Sequence, residues 1–478
     1  MISSRPIFHL LKVTLEAESA HAIHTGHGDT VHDSLVMRDA NGLPALSGSS
    51  LAGVLRHEYQ RLYSEEDTNQ LFGYANGSEG QTSWLNVSWG LTHNSKNEAA
   101  EGLLSDEQLT DPLLNILRDP KPIVRQRVRL NDRGSSVDAG KFDITLVPAG
   151  TRYTFFINYW GDSTEESDEH WDNLVSLVTQ NKLRIGHGTK DGYGLFKAVA
   201  AYKATWDLTT EAGREAYIGR GRSRMDFSNM TAVLINEHDN SEHRVSAVLD
   251  LTAESAWRIG GGERYLYGFE SSYSGERVPD MLPMHEAKIN WRSSSQGRDI
   301  GEVGNQQYLL PASAIKGAVR HRVAYHYNCL TERFVDDGTA YEVDESPAVI
   351  ALFGHSENGE STAGIVAFHD VYLESEQQQV LMHNRVDRFT GGVMTGALFS
   401  ENVLWKSDIK VKFDITHPER LTDSIIKKAF SNALQDLADG WLAIGASSSR
   451  GLGVFLDKTS KGVQWSDNKA WVAREGAE

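Results

Sequence analysis

The sequence predicts an α+β fold used twice in tandem, and three observations predict it. The first is a repeat. Ser47-Gly-Ser-Ser-Leu-Ala-Gly-Val-Leu-Arg56 returns as Pro311-Ala-Ser-Ala-Ile-Lys-Gly-Ala-Val-Arg320, with Ser49 against Ser313, Leu51 against Ile315, Gly53 against Gly317 and Arg56-His57 against Arg320-His321. The second is that three more landmarks return in the same order. Leu71-Phe-Gly73 returns as Leu352-Phe-Gly354, Arg127-Val128 as Arg385-Val386, and Ile185–Gly194 as Ile444–Gly453, each about 260–280 residues on. One such match could be chance, but four in sequence argue for a duplication. The third is the element order within each copy: strand, helix, strand, strand pair, helix, strand. Helices on one face of an antiparallel sheet satisfy that order, in a ferredoxin-like or RRM-like domain with inserted loops and hairpins.

Composition bounds the function. At 478 residues the chain exceeds one ordinary core. Hydrophobic content of 40% and charged content of 23% are those of a folded soluble protein. No apolar run is long enough to span a bilayer, and Met1-Ile-Ser-Ser-Arg-Pro6 does not read as a signal peptide, so a cytoplasmic protein with no membrane partner is expected. The one cysteine, Cys329, excludes a disulfide framework within the chain and is expected on an apolar helix face. A net charge of −18 excludes coating of nucleic acid by bulk charge, so any such contact needs a local patch.

In chain order, Pro6–Ala17 alternates as a strand. His21-Ala-Ile-His-Thr-Gly-His-Gly-Asp-Thr-Val-His-Asp33 follows, rich in metal-ligand types but with no standard zinc spacing. It reads rather as a loop presenting Asp33 and a histidine to a substrate. Ser47–Arg56 is a Gly/Ser turn entering a helix, with Ser49 or Ser50 as cap and an open N-terminus suited to an anion. The segment 94–119 is acidic and looks inserted. Arg125-Gln-Arg-Val-Arg-Leu-Asn-Asp-Arg133 is the most basic short run of the first half. Alternation sets Arg125, Arg127 and Arg129 on one face, for a phosphate backbone or for a charge-blunted edge strand.

Leu183-Arg-Ile-Gly-His-Gly-Thr-Lys-Asp-Gly-Tyr-Gly194 is not a dinucleotide fingerprint, because it opens a strand and not a helix. It is either a plain turn or a loop that lets RNA backbone approach. The segment 206–240 reads as a linker between a first domain at 1–205 and a second at 241–478. In the second domain Gly260-Gly-Gly-Glu opens a loop to about Asn305.

Together these motifs resemble the RAMP superfamily of CRISPR proteins, and more closely the backbone subunits of type III CRISPR effector complexes, here as a tandem fusion of two copies. The resemblance implies a cytoplasmic subunit that grips CRISPR RNA, inserts a hairpin "thumb" from each copy into the guide–target duplex, and works with the other subunits of its complex. It implies cleavage of target single-stranded RNA beside the thumb with Mg2+ or Mn2+. Asp33, within Asp33-Ser-Leu-Val-Met-Arg-Asp-Ala-Asn-Gly-Leu-Pro44, resembles the family's catalytic aspartate; the bland alternative is an Asx turn. In copy two, aligning the flanking histidines puts Glu286 at that position, with Asp280 and Asp299 as rival acids. RNA contacts are expected from Ser49, Ser50, Arg56, Arg125, Arg127, Arg129, His187 and Lys190 in copy one. In copy two they are expected from Ser313, Lys316, Arg320, Arg385, Arg388 and Arg450. Lys316 stands where copy one has Ala52, although the family usually has lysine there.

Three other readings compete: a guide-RNA scaffold without nuclease activity, a CRISPR-RNA-processing endonuclease using His24 or His27, and a metal hydrolase built on the His21–Asp33 cluster.

Overall fold

The computed structural model describes residues 5–25, 35–120, 122–132, 134–180, 182–235, 244–261, 279–293, 298–357, 360–374 and 376–466. Each copy is an antiparallel sheet with two helices against one face. In copy one the strands Leu195–Asp207, Ile7–Ala17, Arg152–Gly161 and Leu85–Val87 lie side by side in that order. In copy two Phe455–Asp457, Arg244–Ala253, Asp408–Thr416 and Val366–Phe368 repeat the order. The duplication read from four motifs is therefore a duplication of topology.

Alternation explains the cores. Leu11, Val13 and Leu15 of the central strand point at the helices Gly48–Leu62 and Glu165–Gln180, where Leu51, Leu55, Tyr59, Leu174 and Val178 fall at helical spacing. In copy two Val245, Leu249 and Leu251 meet Ile315, Val319, Phe430 and Leu434 of the helices Ala312–Leu330 and Ser424–Ala438. Cys329, expected in a core, lies exposed on the first of these helices.

The opposite face of copy one's sheet is also covered. Residues 208–235 form the helix Glu211–Ile218 and the short strand Thr231–Ala232 and run across it. Tyr217 and Met230 pack on Phe8, Leu10 and Trp206. The Lys12 ammonium, buried mid-strand, donates to the backbone carbonyls of Ser223 and Asp226 at 2.7 and 2.5 Å. Arg220 stacks on Tyr217 and Arg224 on Phe156, so these arginines serve the sheet. The face on which an RRM-like sheet would stack bases is thus closed by the protein itself.

Copy two differs between its first strand and its first helix. Where copy one makes the tight turn 39–43, copy two extends a hairpin, His285–Ser293 with Asp299–Leu310. The expected long loop to Asn305 is in this part a β-hairpin.

Buried histidines stiffen copy one, among them His9, His21 and His93. His9 bonds Thr205 at 3.0 Å, His21 bonds Tyr153 at 2.8 Å, and His93 bonds Asn97 and Thr154 at 2.8 and 2.7 Å. Burial lowers their pKa values to about 4, about 3 and about 4. The folded values lie below the unfolded 6.5, so the unfolded chain binds more protons. Stability is complete above pH 6.5 and drains away as pH falls toward 4. Thermal midpoints should therefore drop between pH 7 and pH 5, with about three protons taken up on unfolding near pH 5 from these side chains. A midpoint unchanged over that range would mean that the rings are not held neutral.

Candidate nucleic-acid interface

The glycine loops are built alike. Ile185 N–H donates to Gly194 O, Gly194 N–H to Ala20 O and His187 N–H to Ala22 O, at 2.8, 3.0 and 2.8 Å. In copy two Ile444 donates to Gly453, Gly453 to Ala256 and Ala446 to Arg258, at 2.8, 2.9 and 2.8 Å. Gly194 and Gly453 have φ of 70° and 79°, and a Cβ on either would stand 2.1 or 2.2 Å from the carbonyl oxygen of Ile185 or Ile444. The pattern needs glycine there on both counts.

Copy one's loop faces copy two. A Cβ on Gly192 would come within 2.3 Å of the Ala312 Cβ, at the start of copy two's first helix. The close approach that this loop permits is to a helix of the second copy.

The arginine run follows the same seam. Arg125 is 1% exposed. Its Nε and Nη2 donate to the two oxygens of Glu286 at 2.9 and 3.0 Å, and Nη2 pairs with Asp370 at 2.8 Å. Tyr372 donates its hydroxyl to Glu286 at 2.9 Å, and the Tyr193 ring lies under the guanidinium. Burial disfavours the Arg125 charge, and Asp370 and Glu286 more than offset that. Asp370 also accepts from Ala312 N–H at 2.8 Å, capping the helix that Pro311 has no side chain to cap.

Further along, Arg127 and Lys316 share Asp191, each at 2.7 Å, while Arg129 and Arg320 share Asp344. Burial opposes the Asp191 charge, but Lys316 and Arg127 hold its carboxyl below the usual range. Lys190 donates to the Thr416 hydroxyl at 2.8 Å; burial, with Arg184 and Arg244 nearby, brings its pKa to about 8.

The expected RNA contacts therefore divide. Arg125 is sealed away from any RNA, and Arg127, Lys316 and Arg320 are taken up in ion pairs. Arg56 is spent within copy one, donating to Asn69 Oδ1 at 2.6 Å and to Gly73 O, and so clamping the Leu71-Phe-Gly73 turn. The cap of copy one's helix is Ser47, which accepts from Ser50 N–H at 3.2 Å. Ser49 and Ser50 lie in the first turn instead, and Ser49 lines a shallow concave patch with Gly48, Ala52, Arg56, Phe72 and Val87. Ser313 is half-buried in copy two's first turn, and His187 is exposed with its ring against His24.

Arg385, Arg388 and Arg450 are exposed. The first two stand on the loop 384–398 between the strands Gln377–His383 and Phe399–Trp405, whereas Arg127 sits within a strand. The sequence match therefore does not set Arg385 where Arg127 is. Asp387 shapes that loop by accepting from Phe389 N–H and Thr390 N–H at 2.9 and 2.8 Å. It presents Phe389, 99% exposed.

Asp33 and His27 lie outside the described residues. Glu286 does not match Asp33. His24 bridges Val36 as Gly260 bridges Pro283. Met37 O accepts from Ala45 N–H as Met284 O accepts from Leu309 N–H. This register sets Glu286 against Asp39, and the histidine alignment was off by six positions. Glu286 is 4% exposed and occupied by Arg125 and Tyr372. A hydrated Mg2+ or Mn2+ needs a carboxylate that faces water, which Glu286 does not offer. Asp299 pairs with Arg152 at 2.7 Å. His21 faces the core, where it bonds Tyr153. Among the described residues, Asp67, Glu166 and His170 form a compact ligand-type group, with His170 hydrogen-bonded to Tyr59 at 3.0 Å. Sequence reasoning missed Asp191, Asp344 and Asp370; nothing in their local sequence marks them as partners of distant cations.

The RAMP superfamily model matches residues 14–197 and again 250–455. No curated protein matches the chain. Among solved structures, the chain is similar to one from "Type III-B Cmr-beta Cryo-EM structure of the Apo state", at 12% identity and a TM-score of 0.32, covering 40% of this chain and 96% of that one.

Replacing Arg125 leaves Glu286 and Asp370 buried without their cation. Arg125→Ala should lower the stability of the RNA-free chain by about 3–5 kcal/mol in urea unfolding, whereas Arg129→Ala, in an exposed pair, should cost under about 1 kcal/mol. Equal effects of the two would refute the seam as drawn.

Proposed function

The chain belongs to the RAMP superfamily, with two copies of the domain in tandem, and on that premise we propose that it is a CRISPR-RNA-binding backbone subunit of a type III interference complex that cleaves guide-complementary target RNA. The observation that carries the RNA contact is the loop 384–398. It combines exposed Arg385 and Arg388 with an exposed Phe389 on a turn built by Asp387. Cations beside an exposed aromatic suit a single strand, the first neutralising phosphates and the second stacking on a base. Ser49 and Ser50 at one helix start, and Arg450 and His187 on the glycine loops, would add backbone contacts. The acidic total makes stable binding depend on the assembled complex with its other subunits.

Cleavage is assigned to Asp33. Its carboxylate would orient the ribose 2′-OH beside the scissile phosphate. The 2′-oxygen attacks phosphorus and the 5′-oxygen leaves with a proton, giving a 2′,3′-cyclic phosphate and a 5′-hydroxyl. Mg2+ or Mn2+ held at Asp33 would neutralise charge on the phosphate.

The test is cleavage of a labelled complementary RNA by the reconstituted guide complex, with Mg2+ or Mn2+ against chelator. Asp33→Ala should slow at least one cut by about 100-fold or more while guide stays bound. An unchanged ladder with guide bound would leave a scaffold without nuclease activity. Metal-independent cutting of repeat RNA that a His24 substitution abolishes would favour the processing reading.

A further inference from the structure

We infer that Asp191 and Asp344 are built-in competitors of RNA, holding in the RNA-free chain a row of cations that a phosphate strand takes over on binding; the inference rests on the reading above. The row runs along the seam between two facing lines. One line is the strand Ile123–Leu130, which carries Arg127 and Arg129. The other is the helix Ala312–Leu330, which carries Lys316 and Arg320 one turn apart. Asp191, on copy one's glycine loop, accepts from Arg127 and from Lys316, each at 2.7 Å. Asp344, on the turn Val343–Glu345, accepts from Arg129 and Arg320. Two residues of strand and four of helix both advance about 6–7 Å, so the two lines keep step. Each acid thus sits between one cation of either copy, at a pitch close to that of successive phosphates along an extended strand.

Access to water separates these pairs from that of Arg125. The Arg125 side chain is 2% exposed, that of Arg127 22% and that of Arg129 61%, so the strand runs from a sealed end to an open one. Ion pairs open to water are weak and screened by salt, whereas a sealed pair holds its partners. Phosphates can therefore exchange with Asp191 and Asp344 while Arg125, Glu286 and Asp370 keep the copies docked. Past Arg129, Asp132 ties the hairpin to the Asp344 turn by accepting from Val343 N–H at 3.3 Å. Each shared aspartate neutralises only half of the positive charge it faces. A strand of phosphates, with a full charge at each step, competes for the same cations.

The experiment titrates the full chain and the double variant Asp191→Asn/Asp344→Asn with labelled single-stranded RNA of guide length over a series of NaCl concentrations, with urea unfolding to check the fold. The double variant should bind about tenfold or more tightly, and its plot of log affinity against log salt should be steeper by about 1.4, from two added phosphate contacts at about 0.7 each. Asp344→Asn alone, at the exposed end of the row, should give about half that change in slope. Lys316→Ala in the double variant should cancel most of the gain. Neutralising two exposed acids off the seam, Asp106→Asn with Glu107→Gln, should change affinity by under about twofold. If the folded variants gain nothing, or no more than this control, Asp191 and Asp344 are tethers of the seam and the inference falls. If Arg385→Ala with Arg388→Ala weakens binding in that same case, the RNA reading stands without it. If neither wild type nor double variant holds RNA, free or in the reconstituted complex, the RNA reading fails and takes this inference with it.

Discussion

The structure depends on one buried cation. Arg125 leaves its own copy and is neutralised by two acids of the other, Glu286 and Asp370, in a site closed to water. A buried ion pair of this kind contributes little net stability over an apolar pair, but removing one partner is costly. Its effect is therefore on specificity. Only one docking of the two copies satisfies all three charges, and Asp370 couples that docking to the helix start it caps. The glycine loop is the steric half of the same constraint, since any side chain at Gly192 would hold the helix away.

The seam also decides what remains for a ligand. Arg127, Lys316 and Arg320 face acids along the same line, and residues 208–235 close the sheet of copy one with Arg220 and Arg224 turned inward. Of the cations expected at RNA in this chain of net charge −18, Arg385, Arg388 and Arg450 stay exposed on loops. Recognition through such loops, carried on a rigid scaffold, is a common division of labour. On the proposed function, the hold on RNA would come from assembly, where loops of several subunits would line one strand.

The copies diverge where their surroundings differ. Copy one caps its first helix with Ser47 from within; copy two caps with Asp370 from the turn between the strands Val366–Phe368 and Val371–Leu373, because that carboxylate is already held by Arg125. Copy one turns tightly after Asp39, its carboxylate accepting from Asn41 and Leu43 N–H. Copy two runs on into a hairpin, and its matching acid, Glu286, is drawn into the seam. The same ancestral position thus holds a turn in one copy and an interface in the other.

Sequence alone determined the duplication, the α+β class and the order of the landmarks. Those features rest on local rules: glycines where φ is positive, apolar residues at strand and helix periods, and a helix start that repeats. It could not assign the arginines. Alternation set Arg125, Arg127 and Arg129 on one face, but no local rule says whether that face meets water, RNA or a carboxylate 161 residues away. Nor could it place Glu286, because aligning histidines ignores which backbone carbonyl each residue faces. Only the tertiary structure decided these points. A charge carries no address in the sequence, and its partner is chosen by which surfaces the fold brings together and dries.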